Sequence, residues 1–460
     1  MTSAINMSKR KSERGVTILL VTVALVVMLG LAALGIDVVT LYVARTEAQR
    51  AADAAALAGA RAFVASGFTS GQLGLVSSSA AQDQVCVSGG SAGSGAANQE
   101  AQAVAGQNQV AGQAASILSI VCKFTPQPEN PQVMVTVQRT DLPTFFSRIW
   151  GNRGNSVSAT ATAEAFNPSG SSVPIQVISV KPWLIPNCDP DWRILSSPCP
   201  AAPYFVDPSA NYALKNPATY IGQRVEFSPR INNAPVRSQY YLLDMSSLPG
   251  SATVCPSSNT APAGSCSLAG SGGYHDDIAC GNRNELTCGS MVQLHNGPAS
   301  LLSDTIAGTQ CLIHTTSTHP PLPIPLPPPP PPPFPTAVTC PVDANSDCFA
   351  ATGSIGSPVF INGGQSNPNT FLQNVSNISR SDSIVTVPIV DGTNDLCNPS
   401  CSSAPAVQVI GFLQLGIQYV TPGADIDAVI LNAVGCDPTG TGNTVSGSGV
   451  TPIPVRLIHN

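Results

Sequence analysis

Val16 to Ile36 is a run of 21 residues without a charge, and no other stretch limits the fold as severely. As a helix rising about 1.5 Å per residue it is roughly 31 Å long, enough to cross a hydrocarbon core of about 30 Å. Lys9, Arg10, Lys11 and Arg14 crowd its N-terminal side against a single Glu13, and Asp37 follows it. The positive-inside rule keeps such an N-terminus in the cytoplasm and sends everything after Asp37 across the membrane. A cleaved secretory signal, with the small residues Ala33 and Gly35 as its recognition pair, is the competing reading. The hydrophobic stretch is long for a signal, and nothing breaks the helix at that site.

The rest of the chain suits an exported protein. Charged residues make up only 10% of it, against about 25% in an ordinary soluble domain, while Gly (39) and Pro (42) are abundant. The residues up to Ile36 carry a net +3, which leaves −9 on the remainder out of the total of −6. That acidic exterior excludes a nucleic-acid partner, which would need a basic patch to neutralise phosphates. All 14 cysteines lie between Cys86 and Cys436, beyond the span. An even number in an exported chain reads as a disulfide framework. The shortest spacings suggest local pairs: Cys188 with Cys199, Cys255 with Cys266, Cys280 with Cys288, Cys340 with Cys348 and Cys397 with Cys401. A zinc site needs paired C-x2-C spacings, and "CNPSC" supplies neither the spacing nor a second pair.

Beyond the span, Ala44, Ala48, Ala51, Ala55, Ala58 and Ala62 recur at spacings of 4, 3, 4, 3 and 4, a heptad seam made only of alanine. Alanine is the best helix former, so the helix continues outside the bilayer. An alanine seam buries little area, but it lets backbones approach closely. It reads either as a stiff stalk or as a packing face for another helix, including a second copy of the chain. Ala101, Val104, Asn108, Ala111, Ala115 and Leu118 repeat the rhythm after a Gly/Ser-rich gap, so a second helix could close a hairpin on the first. "VMVTVQ" and "SVSATATAEAF" then read as strands, with "LPTFFSRIWG" between them as a short helix. Twelve of the 16 residues from Pro320 to Pro335 are proline, which favours an extended polyproline spacer. "DSIVTVPIV", "AVQVIGFLQLGIQYV", "DIDAVILNAVGC" and "IPVRLIHN" complete a C-terminal sheet.

The stretch from Glu13 to Phe63 resembles the N-terminus of TadG-like proteins of the tight-adherence (Flp) pilus system. The resemblance rests on the basic "RG", the apolar span, Asp37, Tyr42 and then "QRAADAAALAGA" from Gln49 to Ala60. "VTVQRTDLPTFFSRIWGNRGNSVSATATAEA" is similar to a second block of that family. The resemblance implies an inner-membrane-anchored component of pilus assembly, with other assembly proteins or pilin subunits as partners and no chemistry of its own. Two features depart from what pilus proteins can carry. A cut after Gly15 would place Leu20 where processed pilins have a Glu. The D-x-S-x-S metal pattern of some relatives is met by Asp244 and Ser246, but Leu248 stands at its last position.

The sequence lacks G-x-S-x-G, H-E-x-x-H and Walker patterns, and "HDD" at His275 to Asp277 reads as solvated turn chemistry. No catalytic, cofactor-binding or metal-ligating residue is assigned, and no cofactor. The expected fold class is α+β. It comprises a cytoplasmic N-terminus (1–15), a transmembrane helix (16–36) and a Tad-like helix–strand region (37–166). A Cys-rich β/loop region (167–319), a proline-rich linker (320–335) and a C-terminal β region (336–460) follow. The expected role is a pilus-assembly component anchored once in the inner membrane with its C-terminal part outside. A surface-displayed adhesin or minor pilin is the alternative.

Overall fold

The computed structural model describes residues 9–458 apart from 70–78, 90–93, 125–129, 143–153, 170–172, 191–198, 200–202, 232–237, 249–272, 281–284, 319, 321–344, 352–357, 371, 393–395, 398–400, 402–404 and 447–450. "LPTFFSRIWG" and the proline-rich linker fall wholly or almost wholly outside the described residues. The fold is α+β. Its helices are α1 (Lys9–Ala65), α2 (Ser79–Val85), α3 (Ala96–Gln107), α4 (Tyr274–Ala279) and α5 (Leu302–Leu312). Ten strands of the two main sheets are discussed below; the short Met291–Val292 strand also pairs at the start of the long strand 407–420. The ten are β1 (Ser116–Lys123), β2 (Gln132–Leu142), β3 (Asn155–Ala165), β4 (Trp183–Pro186), β5 (Arg224–Pro229), β6 (Gln239–Leu242), β7 (Ile384–Val390), β8 (Val407–Val420), β9 (Ile426–Gly435) and β10 (Val455–Ile458).

The first sheet is antiparallel, in the order β10-β3-β2-β1. Alternation fixes its faces: Val133, Val135 and Val137 of β2 and Ala159, Ala161 and Ala163 of β3 all point to the buried side. The C-terminal half of α1 lies on that side, with α3 beside it. The final strand was expected to join the sheet of its sequence neighbours; instead β10 pairs with β3. Arg456 also reaches Glu164 there, at 2.5 Å.

The second sheet closes on itself. Its order β8-β7-β4-β6-β5-β9 is completed by pairing of β9 with β8, which makes a closed six-stranded barrel. The pairs β7–β4 and β5–β6 are parallel and the rest antiparallel. Barrel strands therefore come from both sides of the proline-rich stretch, and regions 167–319 and 336–460 share one core. Trp183, Phe227, Val387, Leu413, Leu415 and Ile417 fill that core. Gln414 and Gln418 lie on the other face of β8 from Leu413, Leu415 and Ile417, and they too are buried. Gln418 Nε2 donates to Phe349 O (2.9 Å) in a second layer, and Asn432 Nδ2, across from Gln414 on β9, donates to Gln414 Oε1 (2.7 Å).

The second alanine-rich helix is shorter than its periodicity implies. α3 stops at Gln107, and Ala111 and Gly112 both take positive φ (49° and 77°) at the turn of a tight hairpin, Gln109–Val110 with Gln113–Ala114. Two central residues with φ > 0 are what a two-residue hairpin demands. Ala115 and Leu118 thus belong to extended chain and not to a helix.

Cysteine pairing follows the fold more than the spacing. Cys188–Cys199 and Cys397–Cys401 are bonded locally. Cys288 is bonded to Cys436, 148 residues away, and not to Cys280. The barrel is responsible: Gly289 N donates to Val409 O (2.9 Å) and Cys436 N to Ile410 O (3.0 Å), so both cysteines meet at one end of β8. Cys280 shares a small cluster with Cys311, and both are disulfide-bonded, as is Cys348. Cys86–Cys122 ties the segment before α3 to β1. Cys255 and Cys266 both lie outside the described residues, and so does Cys340, so the expected bridges from Cys255 to Cys266 and from Cys340 to Cys348 are not among the described ones.

Candidate functional site

The feature that sets this molecule apart is α1 itself, 57 residues long and about 85 Å from end to end. Gly15–Ala65 contains a stretch long and apolar enough to cross a membrane, with a mean hydropathy of 2.8 in its most apolar window. From Val16 to Val43 its large aliphatic side chains stand exposed, apart from half-buried Leu41. From Ala44 onward it is built into the body.

All six seam alanines are buried: Ala44, Ala48, Ala51, Ala55, Ala58 and Ala62. What covers them is the chain's own first sheet and α3, so the seam is not open to a second copy. The expected homo-oligomer through the seam therefore has no free surface to use. Ala52, Ala56 and Ala60 form a second buried stripe that the heptad reading missed. Its signal was the doubled and tripled alanines of "QRAADAAALAGA", which put small residues on two helix faces at once. Gly59 marks a close crossing. A Cβ there would lie 3.2 Å from Val133 Cγ1 and 3.3 Å from Ala97 O, so β2 and α3 meet α1 at one point. Glu47 Oε2 accepts from Ala111 N (2.7 Å), and Gln49 Nε2 donates to Thr160 O (3.3 Å), which pins the helix to the hairpin and to β3.

The end of α1 is also built in. Phe68 N donates to Phe63 O (3.1 Å) and Gly67 N to Val64 O (3.1 Å), with Gly67 at φ +73°. This is a Schellman motif, completed by contact between the Phe63 and Phe68 rings. Side chains and backbone from elsewhere in the body reinforce this end: Asn432 Nδ2 also donates to Val64 O, and Val359 N donates to Ser66 O (3.1 Å), just past the helix. Thr69 Oγ1 donates to Asn432 Oδ1 (2.9 Å), and Asn167 Nδ2 donates to Thr69 O (2.8 Å). Sequence reading could not find Asn432, whose partners at the end of α1, Val64 and Thr69, lie more than 360 positions away.

The titrating groups are explained by packing. Lys181 is buried, which lowers its pKa to about 8, and its Nζ donates to Ile278 O (2.7 Å) and Cys280 O (2.6 Å) at the end of α4. Burial pushes the Asp427 carboxyl up to about 7, although Arg224, whose Nε lies 2.9 and 3.0 Å from its oxygens, pulls the other way. "HDD" is helical and not a loop: Asp276 is buried in α4 and its Oδ1 lies 2.9 Å from His275 Nδ1. Asp244 Oδ1 accepts from Ser246 N (3.0 Å) and Ser246 Oγ (2.6 Å), capping the 3-10 turn Met245–Ser247. Among the described residues no group of three His, Cys, Asp or Glu side chains is placed to hold a metal.

The described chain is an apolar N-terminal helix, long enough to cross a membrane, that runs into a disulfide-bonded α+β body. Residues 15–62 match the model of the Tad family, the TadE/G-like proteins of Flp pilus assembly. No curated protein and no solved structure gave a match to the chain. The matched segment covers the bare part of α1 and its alanine seam, and supports a part in Flp pilus assembly.

Proposed function

We propose that this chain is a membrane-anchored structural component of a Tad/Flp-type pilus assembly system, acting as a scaffold without chemistry of its own. The observation that carries this reading is the unbroken passage of α1 from an exposed apolar rod into the interior of the body. In such a helix a displacement at the membrane is transmitted to the barrel without a hinge. The basic N-terminus stays in the cytoplasm, α1 crosses the inner membrane once, and the body lies outside, where disulfides form. Its partners are the bilayer and other pilus-assembly proteins or pilin subunits.

A minor pilin or surface adhesin is the second reading, favoured by the same bare apolar rod, which a filament can bury as well as a bilayer can. Fractionation separates the two. Under the scaffold reading the protein stays with inner membranes after pili are sheared off, and its deletion abolishes piliation. Recovery of the protein in the sheared filaments, at a constant ratio to the major subunit, would overturn that reading in favour of the second.

A further inference from the structure

The bare surface of α1 is longer than the charge-free run in its sequence. Counting charges ends the span at Ile36, because Asp37 comes next. In the structure, however, Asp37 is 6% exposed and Ala33 8%. Both lie on the covered stripe of the helix, in phase with Ala44 and Ala48. The opposite side carries Leu34, Ile36, Val38, Val39, Tyr42 and Val43, all exposed, before Arg45 and Thr46 take over. The bare apolar surface therefore runs from Val16 to Val43, about 40 Å along the axis. The hydrocarbon core accounts for about 30 Å of that, and a bilayer with its interfacial layers for about 40–45 Å.

We propose that the face of α1 from Val38 to Val43 is a lipid-facing surface at the outer interface, so that the body rests on the bilayer instead of standing off on a stalk. This rests on the reading of α1 as a membrane span. The occupant is the same bilayer that holds Val16 to Ile36, because the surface is continuous with that run and apolar until Arg45. Tyr42, at 73% exposure, presents the kind of amphipathic ring that settles at headgroup level. Asp37 is buried on the stripe opposite Val39, so the helix can sink to Val43 without turning that carboxylate toward acyl chains.

The test uses the full-length chain reconstituted in phosphatidylcholine–phosphatidylglycerol vesicles. Leu25→Cys, Val39→Cys, Tyr42→Cys and Arg50→Cys are each labelled with an environment-sensitive fluorophore, with nitroxide lipids as quenchers at headgroup and mid-acyl depth. All four positions are exposed, so labelling leaves the packed body intact. The expected result is mid-acyl quenching at Leu25 and headgroup quenching at Val39 and Tyr42 several-fold above that at Arg50. Quenching at Leu25 with none above the Arg50 level at Val39 and Tyr42 would overturn this inference and leave the span standing. No quenching at Leu25 would overturn the span itself, and this inference with it. Labels at Val39 and Tyr42 that are shielded from lipid and water alike, with Val39→Cys forming disulfide-linked dimers, would assign the surface to a second copy and refute the lipid assignment.

Discussion

From Val16 to Val43, α1 carries large aliphatic side chains that stand exposed, apart from half-buried Leu41; from Ala44 to Ala65 it is rich in alanine and built into the body, with only Arg45, Thr46, Gln49, Arg50 and Arg61 exposed. Both halves are good helix, and no break separates them. The difference lies in what surrounds each. The first half, which we propose to lie in lipid, needs only bulk and hydropathy, because lipid chains adapt to any side chain. The second half runs between a β-sheet and another helix, and there the distance between backbones decides which residues fit. Small residues in that half therefore report close packing and not a bare stalk.

The end of the embedded half should be the most sensitive point. A Cβ at Gly67 would lie 2.3 Å from Leu431 O, on a backbone with positive φ. Gly67→Val should cost about 3–4 kcal/mol, the sum of backbone strain and a clash with main chain, read as a loss of thermal stability in detergent-solubilised protein. Ala55→Leu, in mid-seam, should cost about 2 kcal/mol by overpacking while leaving helix propensity almost unchanged. If either substitution is neutral, the embedded half is looser than the contrast requires.

Acidity should sharpen the contrast at lower amplitude. The folded state raises Asp427 to about 7 from an ordinary 3.8, mainly through burial. The folded protein then binds that proton more tightly than the unfolded chain does. Its contribution is complete below about pH 4 and is lost as pH rises through about 7. Between pH 6 and 8 the barrel should lose on the order of 1–2 kcal/mol, and the loss should shrink in Asp427→Asn. Melting curves of the two proteins across that range check this. The embedded half of α1 should follow the barrel, while the bare half should not respond. Smallest of all, Leu25→Ala should change the stability of the body by no more than about 0.5 kcal/mol, since its neighbours are not protein.

One layer of the fold is legible in local sequence pattern. The charge-free run, the alanine seam, the strands at 132–142 and 155–165 and the long strand at 407–420 all carry their periodicity in adjacent residues. What stays hidden depends on distant partners. Ala111 and Gly112 keep a helical rhythm but turn a hairpin, because Gly112 supplies a backbone state that composition does not announce. Cys288 meets Cys436 only once the barrel has closed, and β10 finds β3 across nearly 300 residues. Gln414 and Gln418 look solvent-facing until the layer around Phe349 and the end of α1 is laid over them. The second alanine stripe was in view as doubled alanines, and a single-face reading passed over it.

Hydrogen exchange along α1, measured on the full chain reconstituted in lipid nanodiscs, tests the central contrast most directly. Amides from Ala44 to Ala65 should be as strongly protected as β2 and β3. They should lose that protection together with those strands in a denaturant that leaves Val16 to Val43 protected by the bilayer. Rapid exchange of Ala44 to Ala65 under native conditions, with the first sheet still protected, would contradict the account and return the alanine segment to a stalk.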